Sequence, residues 1–276
     1  MSKSQKIFSG FLIVLLPLSL CLSVSELYTR YKQDFKDNDF IPGSEAFNPS
    51  LIRLNTINKM VSYADSSIGT SAITDSAAYA NFIGFLLRER FYHGYSHYKP
   101  GYNTIGWLLA PLVHPHMRAI VIPDDIMKYP HAACSQQAIV GMEIFKKKGF
   151  NVRKVGFYNP YTKSGHFCFE VYYKNEWHFY DSNLEPNIEL LNYYNRPSFK
   201  SINAMPGLIS QLYNKKRGID SFLVFSAVAY GEKNEFPAKK AMIYQLITRY
   251  TSLFLLFICL ILTLLIKYKK NPPIGG

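Results

Sequence analysis

The chain has 276 residues, 48% hydrophobic and 16% aromatic, with a formal charge of +12. Residues 25–240 hold all 19 acidic residues and 25 of the Lys and Arg, a balance of +6, so half the excess flanks the apolar ends. Nucleic-acid binding would want basic residues clustered on a recognisable module, and none is visible, whereas a modest excess suits an anionic lipid surface or envelope polymer.

The first element in chain order is apolar, Ile7 to Val24, preceded by Lys3 and Lys6. A second apolar run spans Thr251 to Ile266 and extends back toward Ile243, with KYKKNPP after it. Each approaches the roughly 20 apolar residues that cross a bilayer. The first run also fits a cleaved signal, but no small-x-small site follows it, so an uncleaved anchor is the reading taken. Basic residues balance across both spans and do not set orientation. A short basic head before an apolar run is the usual export signal, which predicts cytoplasmic termini and an extracytoplasmic middle. The expected organisation is an anchor at 1–24, a juxtamembrane linker at 25–48, a soluble domain at 49–240, a transmembrane helix at 243–267 and a basic tail at 268–276.

Within the domain, residues 48–65 and 74–91 have helical spacing with Asn or Thr in capping range. Residues 92–130 read as irregular. A helix is predicted from about Ala132 to Lys148, ending at Gly149 with three lysines in its last turn. Strands are predicted at 151–159, 165–173 and 176–181, the last two joined by Lys174-Asn175 as a two-residue hairpin loop. NIELLNYY after Pro186 is a short helical patch. Helices first and an antiparallel sheet later make an α+β domain.

Two stretches raise a chemical question. HAACSQQA (131–138) puts Cys134 at a helix start, where the positive end of the backbone dipole faces the sulfur. GHFCFEVYYKNEWHFYD (165–181) supplies a histidine and an aspartate on one hairpin. With a tight turn at Lys174-Asn175, Asp181 falls opposite Cys168, and His166 becomes its diagonal neighbour on the same face. A nucleophilic thiol needs a base, and the base needs a partner to fix its tautomer. Cys134, His166 and Asp181 fit those roles. A buried structural Cys, a satisfied His and a turn Asp fit the residue types equally well.

The run from HAACSQQA to FYDSN closely resembles the core of the transglutaminase-like superfamily. Cys134 opening a helix, Gly149 with Arg153, Gly165-His166 with Glu170, then Trp177 and Asp181 match that pattern in order and spacing, over roughly residues 120–185. The resemblance implies a papain-like fold, a Cys-bearing helix packed on an antiparallel sheet carrying His and Asp, with Cys134, His166 and Asp181 as catalytic triad. Ala133 stands where the family usually has Gly. For the oxyanion donor expected upstream, Trp107 and Tyr129 are candidates, neither taken as a site residue, and the Cys134 N–H is a further donor.

Other residues carry bland readings first. Cys168 is a small hydrophobe beside the site or, more sharply, the partner of Cys134 in a reversible disulfide. His93, His97, His114 and His116 lack acidic or thiol companions at motif spacing, so no metal is expected. Gln136 and Gln137 pack or cap, and Glu170 braces the sheet or a loop.

The expected function is a membrane-anchored cysteine enzyme acting on amide or peptide bonds through a thioester, with hydrolysis (protease or amidase) favoured over amine transfer. The alternative is a non-catalytic transglutaminase-fold module in an envelope or polymer-export complex. No cofactor is expected. The expected partners are a protein or peptide substrate at the membrane surface, the bilayer through two spans and, for the alternative reading, an envelope complex, with no nucleic acid.

Overall fold

The computed structural model describes residues 3–31, 46–68, 75–159, 161, 165–184, 186–213 and 227–270. Most of the expected linker (32–45) and of the basic tail (271–276) lies outside the described residues. The elements are α1 (Lys3–Tyr31), α2 (Ile57–Ser67), α3 (Ser76–Arg90), α4 (Thr104–Val113), α5 (Pro123–Ile126), α6 (Cys134–Lys147), β1 (Asn151–Tyr158), β2 (Gly165–Tyr173) and β3 (Glu176–Tyr180). They continue with α7 (Ile188–Tyr193), α8 (Phe199–Ala204), α9 (Leu208–Tyr213), β4 (Ala227–Tyr230) and α10 (Lys239–Lys270). Contacts divide the chain into two units: Asp34–Ser96 with Val121–Lys239, and Met1–Gln33 with His97–Ile120 and Lys240–Gly276. Residues 97–120, read from sequence as part of the soluble domain, thus group with the terminal helices.

The first unit is α+β. Its antiparallel sheet has the order β3-β2-β1-β4. Lys174 and Asn175 both take positive φ, 47° and 65°, the geometry that lets a two-residue loop follow the strand twist. Tyr173 therefore pairs with Glu176 and Phe169 with Tyr180, the register that parity requires. One face of the sheet packs on α6: Phe169 lies against Phe145, and a Cβ on Gly141 would come within 2.6 Å of the Phe169 ring. The residue is glycine because helix and strand approach too closely there for a side chain.

On the other face, Val155, Phe157, Cys168 and Phe179 form a core with Leu191 of α7, Phe199 and Ile202 of α8, and Leu208 and Leu212 of α9. Neither β4, paired with β1, nor α8 and α9 were expected from sequence. Residues 48–65 also differ from expectation. Pro49–Arg53 form a 3-10 turn, and α2 starts afresh after Thr56, whose side chain accepts the Lys59 N–H. The break is held by Arg90, fully buried, which donates to the carbonyls of Leu54, Met127 and Tyr129.

The second unit contains α1 and α10, the two described helices long and apolar enough to cross a membrane. They run antiparallel to each other. Ser23 Oγ donates to Ser252 O (3.0 Å), and one turn on Glu26 Oε1 faces Arg249 Nε at 3.2 Å. Residues 104–113, expected to be irregular, form α4. Asn103 caps its start in a left-handed conformation (φ 49°), its side chain accepting the Gly106 N–H at 3.2 Å.

Candidate active site

Cys134 is the first residue of α6. Ala133 before it has no capping side chain, so Gln136 supplies the cap: its Oε1 accepts the Ala133 N–H (3.2 Å). The same amide accepts the Ser96 N–H (3.0 Å) and donates to Ser96 O (2.8 Å), pinning the 92–96 loop to the helix start. Gln137 Nε2 donates to Ala132 O at 2.9 Å. The glutamines behind the cysteine thus lock its backbone rather than its chemistry.

The His166 imidazole sits near the start of β2, with Nε2 2.8 Å from Asp181 Oδ2. The Cys134 thiol lies near enough to the same ring to raise its pKa. Asp181 leaves the end of β3 with its carboxylate fully engaged. Oδ2 also accepts the Tyr213 hydroxyl (2.9 Å), and Oδ1 accepts the N–H groups of Asn183 (3.0 Å) and Leu184 (3.1 Å). The three residues named from sequence are therefore brought together, far apart along the chain. Tyr213, on a six-residue helix 32 positions beyond Asp181, carries no sequence signal.

A second thiol touches the ring. Cys168 hydrogen-bonds His166, and ligand atoms of His166, Cys168 and Asp181 lie within 4.8 Å of one another. Electrostatics separate the two sulfurs. Cys168 is wholly buried, and burial together with the Asp181 charge pushes its thiol well above the usual range. It is neutral at physiological pH. Cys134 lies at the helix start with 9% of its surface open, beside Tyr95.

Burial alone would lower the His166 pKa. A charge on Cys168 would oppose that most strongly, but that thiol stays protonated. The Asp181 charge, its hydrogen bond and the Cys134 thiol then remain to hold the imidazole above its ordinary value. Asp181 moves the other way. Burial raises it, but the His166 charge and hydrogen bond, the Leu184 N–H and the Tyr213 hydroxyl hold it below the usual carboxylate value. The favoured state is an imidazolium–carboxylate pair with a sulfur alongside.

Tyr95, which sequence reasoning missed, flanks that sulfur. Its hydroxyl hydrogen-bonds Ser135, and burial and the Cys134 charge raise its pKa. Of the upstream candidates, Trp107 belongs to the unit of terminal helices, where the Arg118 guanidinium lies over its ring at 5.2 Å. Tyr129 is fully buried against His131. A cavity of about 330 Å³ borders Asp181, with Arg88, Tyr180, Ser182 and Arg196 among its walls.

The rest of the motif is structural. Arg153 clasps Glu170 (Nε to Oε2, 2.7 Å) and lies over the Trp177 ring at 4.3 Å. Glu170 Oε1 accepts the Phe199 N–H at 2.6 Å, capping α8. Glu170 thus braces both sheet and loop. Of the histidines weighed from sequence as metal ligands, His93 contacts Asn183 and His114 stacks on His116.

No protein-family model matches the chain, and no curated protein matches it. A solved structure described as "Crystal structure of a TGase" is similar over 57% of this chain and 37% of its own, at 14% identity and a TM-score of 0.28. The chain thus spans just over a third of that protein's length. A likeness at this level decides neither fold family nor activity. What stands on its own is an α+β unit with a buried His166–Cys168–Asp181 cluster, next to the start of the helix that carries Cys134, compatible with a transglutaminase-like enzyme.

Proposed function

We propose that this chain is a transglutaminase-like cysteine enzyme, anchored in a membrane by α1 and α10, that cleaves amide bonds through Cys134, His166 and Asp181. The observation that carries the reading is the imidazole between two partners, a carboxylate at 2.8 Å and the thiol at the start of α6. The motif resemblance over residues 120–185 supports it, as does the contrast between a neutral, wholly buried Cys168 and Cys134, which keeps 9% of its surface open.

In the first step the Cys134 sulfur, as thiolate, attacks the carbonyl carbon of an amide. A C–S bond forms, and the oxyanion that develops is met by the Cys134 backbone N–H at the helix start. The tetrahedral species collapses, the C–N bond breaks, and the His166 imidazolium gives its proton to the departing amine. Asp181 holds the ring in one orientation throughout. In the second step water, deprotonated by His166, attacks the thioester. The acid leaves, and the proton and thiolate return. An amine in place of water would make the reaction a transfer. Hydrolysis is the favoured outcome, the substrate class a protein or peptide at the membrane surface, and the domain faces outward from the cytoplasm with both termini inside. A binding or assembly module of an envelope complex is the competing reading, and the intact triad argues against it.

The test is capture of the acyl-enzyme. Native membranes carrying the full chain or its Cys134→Ala variant are quenched in acid, and the peptide containing residue 134 is examined by mass spectrometry. A thioester adduct on wild type alone supports the enzyme and identifies its acyl donor. A purified chain that forms no adduct with any amide-bearing extract fits the module.

A further inference from the structure

Helix α4 reads TIGWLLAPLV, without a charged side chain. Its first half is committed to the terminal helices. Asn103 donates its backbone N–H to Glu26 Oε2 (2.6 Å) and its side-chain amide to Gln245 O (3.1 Å). Tyr244 donates to Gly106 O (2.7 Å), and a Cβ on Gly106 would come within 2.8 Å of Thr248 Oγ1. The segment returning from α4 ties to the same residue of α10: Gln245 Nε2 donates to Ala119 O (2.7 Å) and Met117 O (3.2 Å). Both ends of the excursion are therefore held at one level.

Its second half is bare. Leu112 is 82% exposed, Leu108 61% and Val113 58%, with Leu109 beside them. Leu108 and Leu112 are one turn apart and share a side of the helix. In water this would be an apolar patch with nothing on it, which proteins rarely leave uncovered.

The depth of that patch follows from α10. Arg249 is the last ionic residue before an uncharged run from Tyr250 to Ile266. That run rises about 25 Å, close to the hydrocarbon thickness of a bilayer. Glu26 meets Arg249 at the same height, so the ion pair marks where both helices leave the hydrocarbon. Gln245, which fixes both ends of α4, lies one turn farther out. That is headgroup depth. Trp107 under Arg118 is the kind of amphipathic pair that sits there, an indole and a basic stem with their polar parts in the headgroups.

We propose that α4 is an interfacial membrane helix, a third lipid contact in which Leu108, Leu109, Leu112 and Val113 enter the boundary between headgroups and acyl chains. This rests on the reading that α1 and α10 span the bilayer. The partner is lipid, because Gln245 ties the patch to the level where the uncharged run of α10 begins, and that run carries Phe254, Phe257 and Ile258 outward.

The experiment places a photoreactive p-benzoylphenylalanine at Leu112 in the full chain. Ile261, in the uncharged run of α10, and Tyr161, 91% exposed in the other unit, serve as comparisons. Each chain is reconstituted in nanodiscs of phosphatidylcholine and phosphatidylglycerol, irradiated, and weighed by mass spectrometry. The expected result is a gain of one phospholipid mass at 112 and 261 and none at 161. Adducts at 261 with none at 112, or a crosslink from 112 to protein instead, overturn the interfacial helix and leave the spans intact. Loss of lipid adducts at both 112 and 261 overturns the spans and the helix together.

Discussion

Strand β2 carries two carboxylate pairs on one face, four residues and about 13 Å apart, and they do different work. At one end His166 meets Asp181 at 2.8 Å; at the other Glu170 meets Arg153 at 2.7 Å. Both carboxylates are buried, and both also accept backbone N–H groups. The difference lies in the cation. A guanidinium keeps its protons at any physiological pH, so the Glu170 pair is a permanent strut. An imidazole gives its proton up, so the Asp181 pair can deliver one. Similar geometry yields a brace where the base is fixed and a site where it titrates beside a thiol.

Breaking the titrating end has the largest expected effect. Cys134→Ala lowers amide turnover by about 10⁴-fold or more, since removing the nucleophile leaves only binding and oxyanion contacts. Asp181→Asn lowers turnover by about 10²–10⁴-fold. It also drops the His166 pKa, because burial then acts without the opposing charge; ring ¹⁵N shifts measured against pH report that fall. Breaking the fixed end moves other quantities. Glu170→Ala leaves the partly exposed Arg153 and the buried Phe199 N–H without their acceptor and is expected to cost about 1–3 kcal/mol in stability. Its measurement is the unfolding midpoint in denaturant, with the His166 titration unmoved. A loss of the imidazolium in Glu170→Ala would make the two pairs one network and end the distinction.

The pH dependence sharpens the comparison further. His166 is raised by folding, so its stabilisation is complete below its unfolded value of about 6.5 and is lost as pH climbs through the folded value. Asp181 is lowered, so its share is complete above about 3.9 and is lost as pH falls. Wild type should exceed Asp181→Asn in stability most clearly between those two pH values, the gap narrowing on either side. Tyr95→Phe is the smallest case: losing the hydroxyl beside Ser135 should slow acylation of Cys134 by no more than about tenfold.

The site was more legible in the sequence than the scaffold around it. The two residues Lys174-Asn175 fix a register, and register fixes which side chains share a face, so Asp181 could be set beside His166 by counting. Cys134 was marked by its place at a helix start. Tyr213 and Tyr95 were not legible, because each reaches the site from a loop or short helix whose position depends on packing. Helix α4 hid among His, Pro and Tyr, with Pro111 inside it, and its place with the terminal helices rests on bonds to Glu26 and Gln245 that no local pattern encodes. Strand β4 is four residues long, too short for alternation to register.

The alkylation rate of Cys134 at pH 6 tests the triad most directly, with iodoacetamide as the probe and the modified peptide located by mass spectrometry in the full chain. The expected rate exceeds that of glutathione by about tenfold or more, as a thiolate held by an imidazolium requires, and falls to the glutathione rate or below in His166→Ala. A wild-type rate no faster than glutathione, or one that His166→Ala leaves unchanged, would contradict the account.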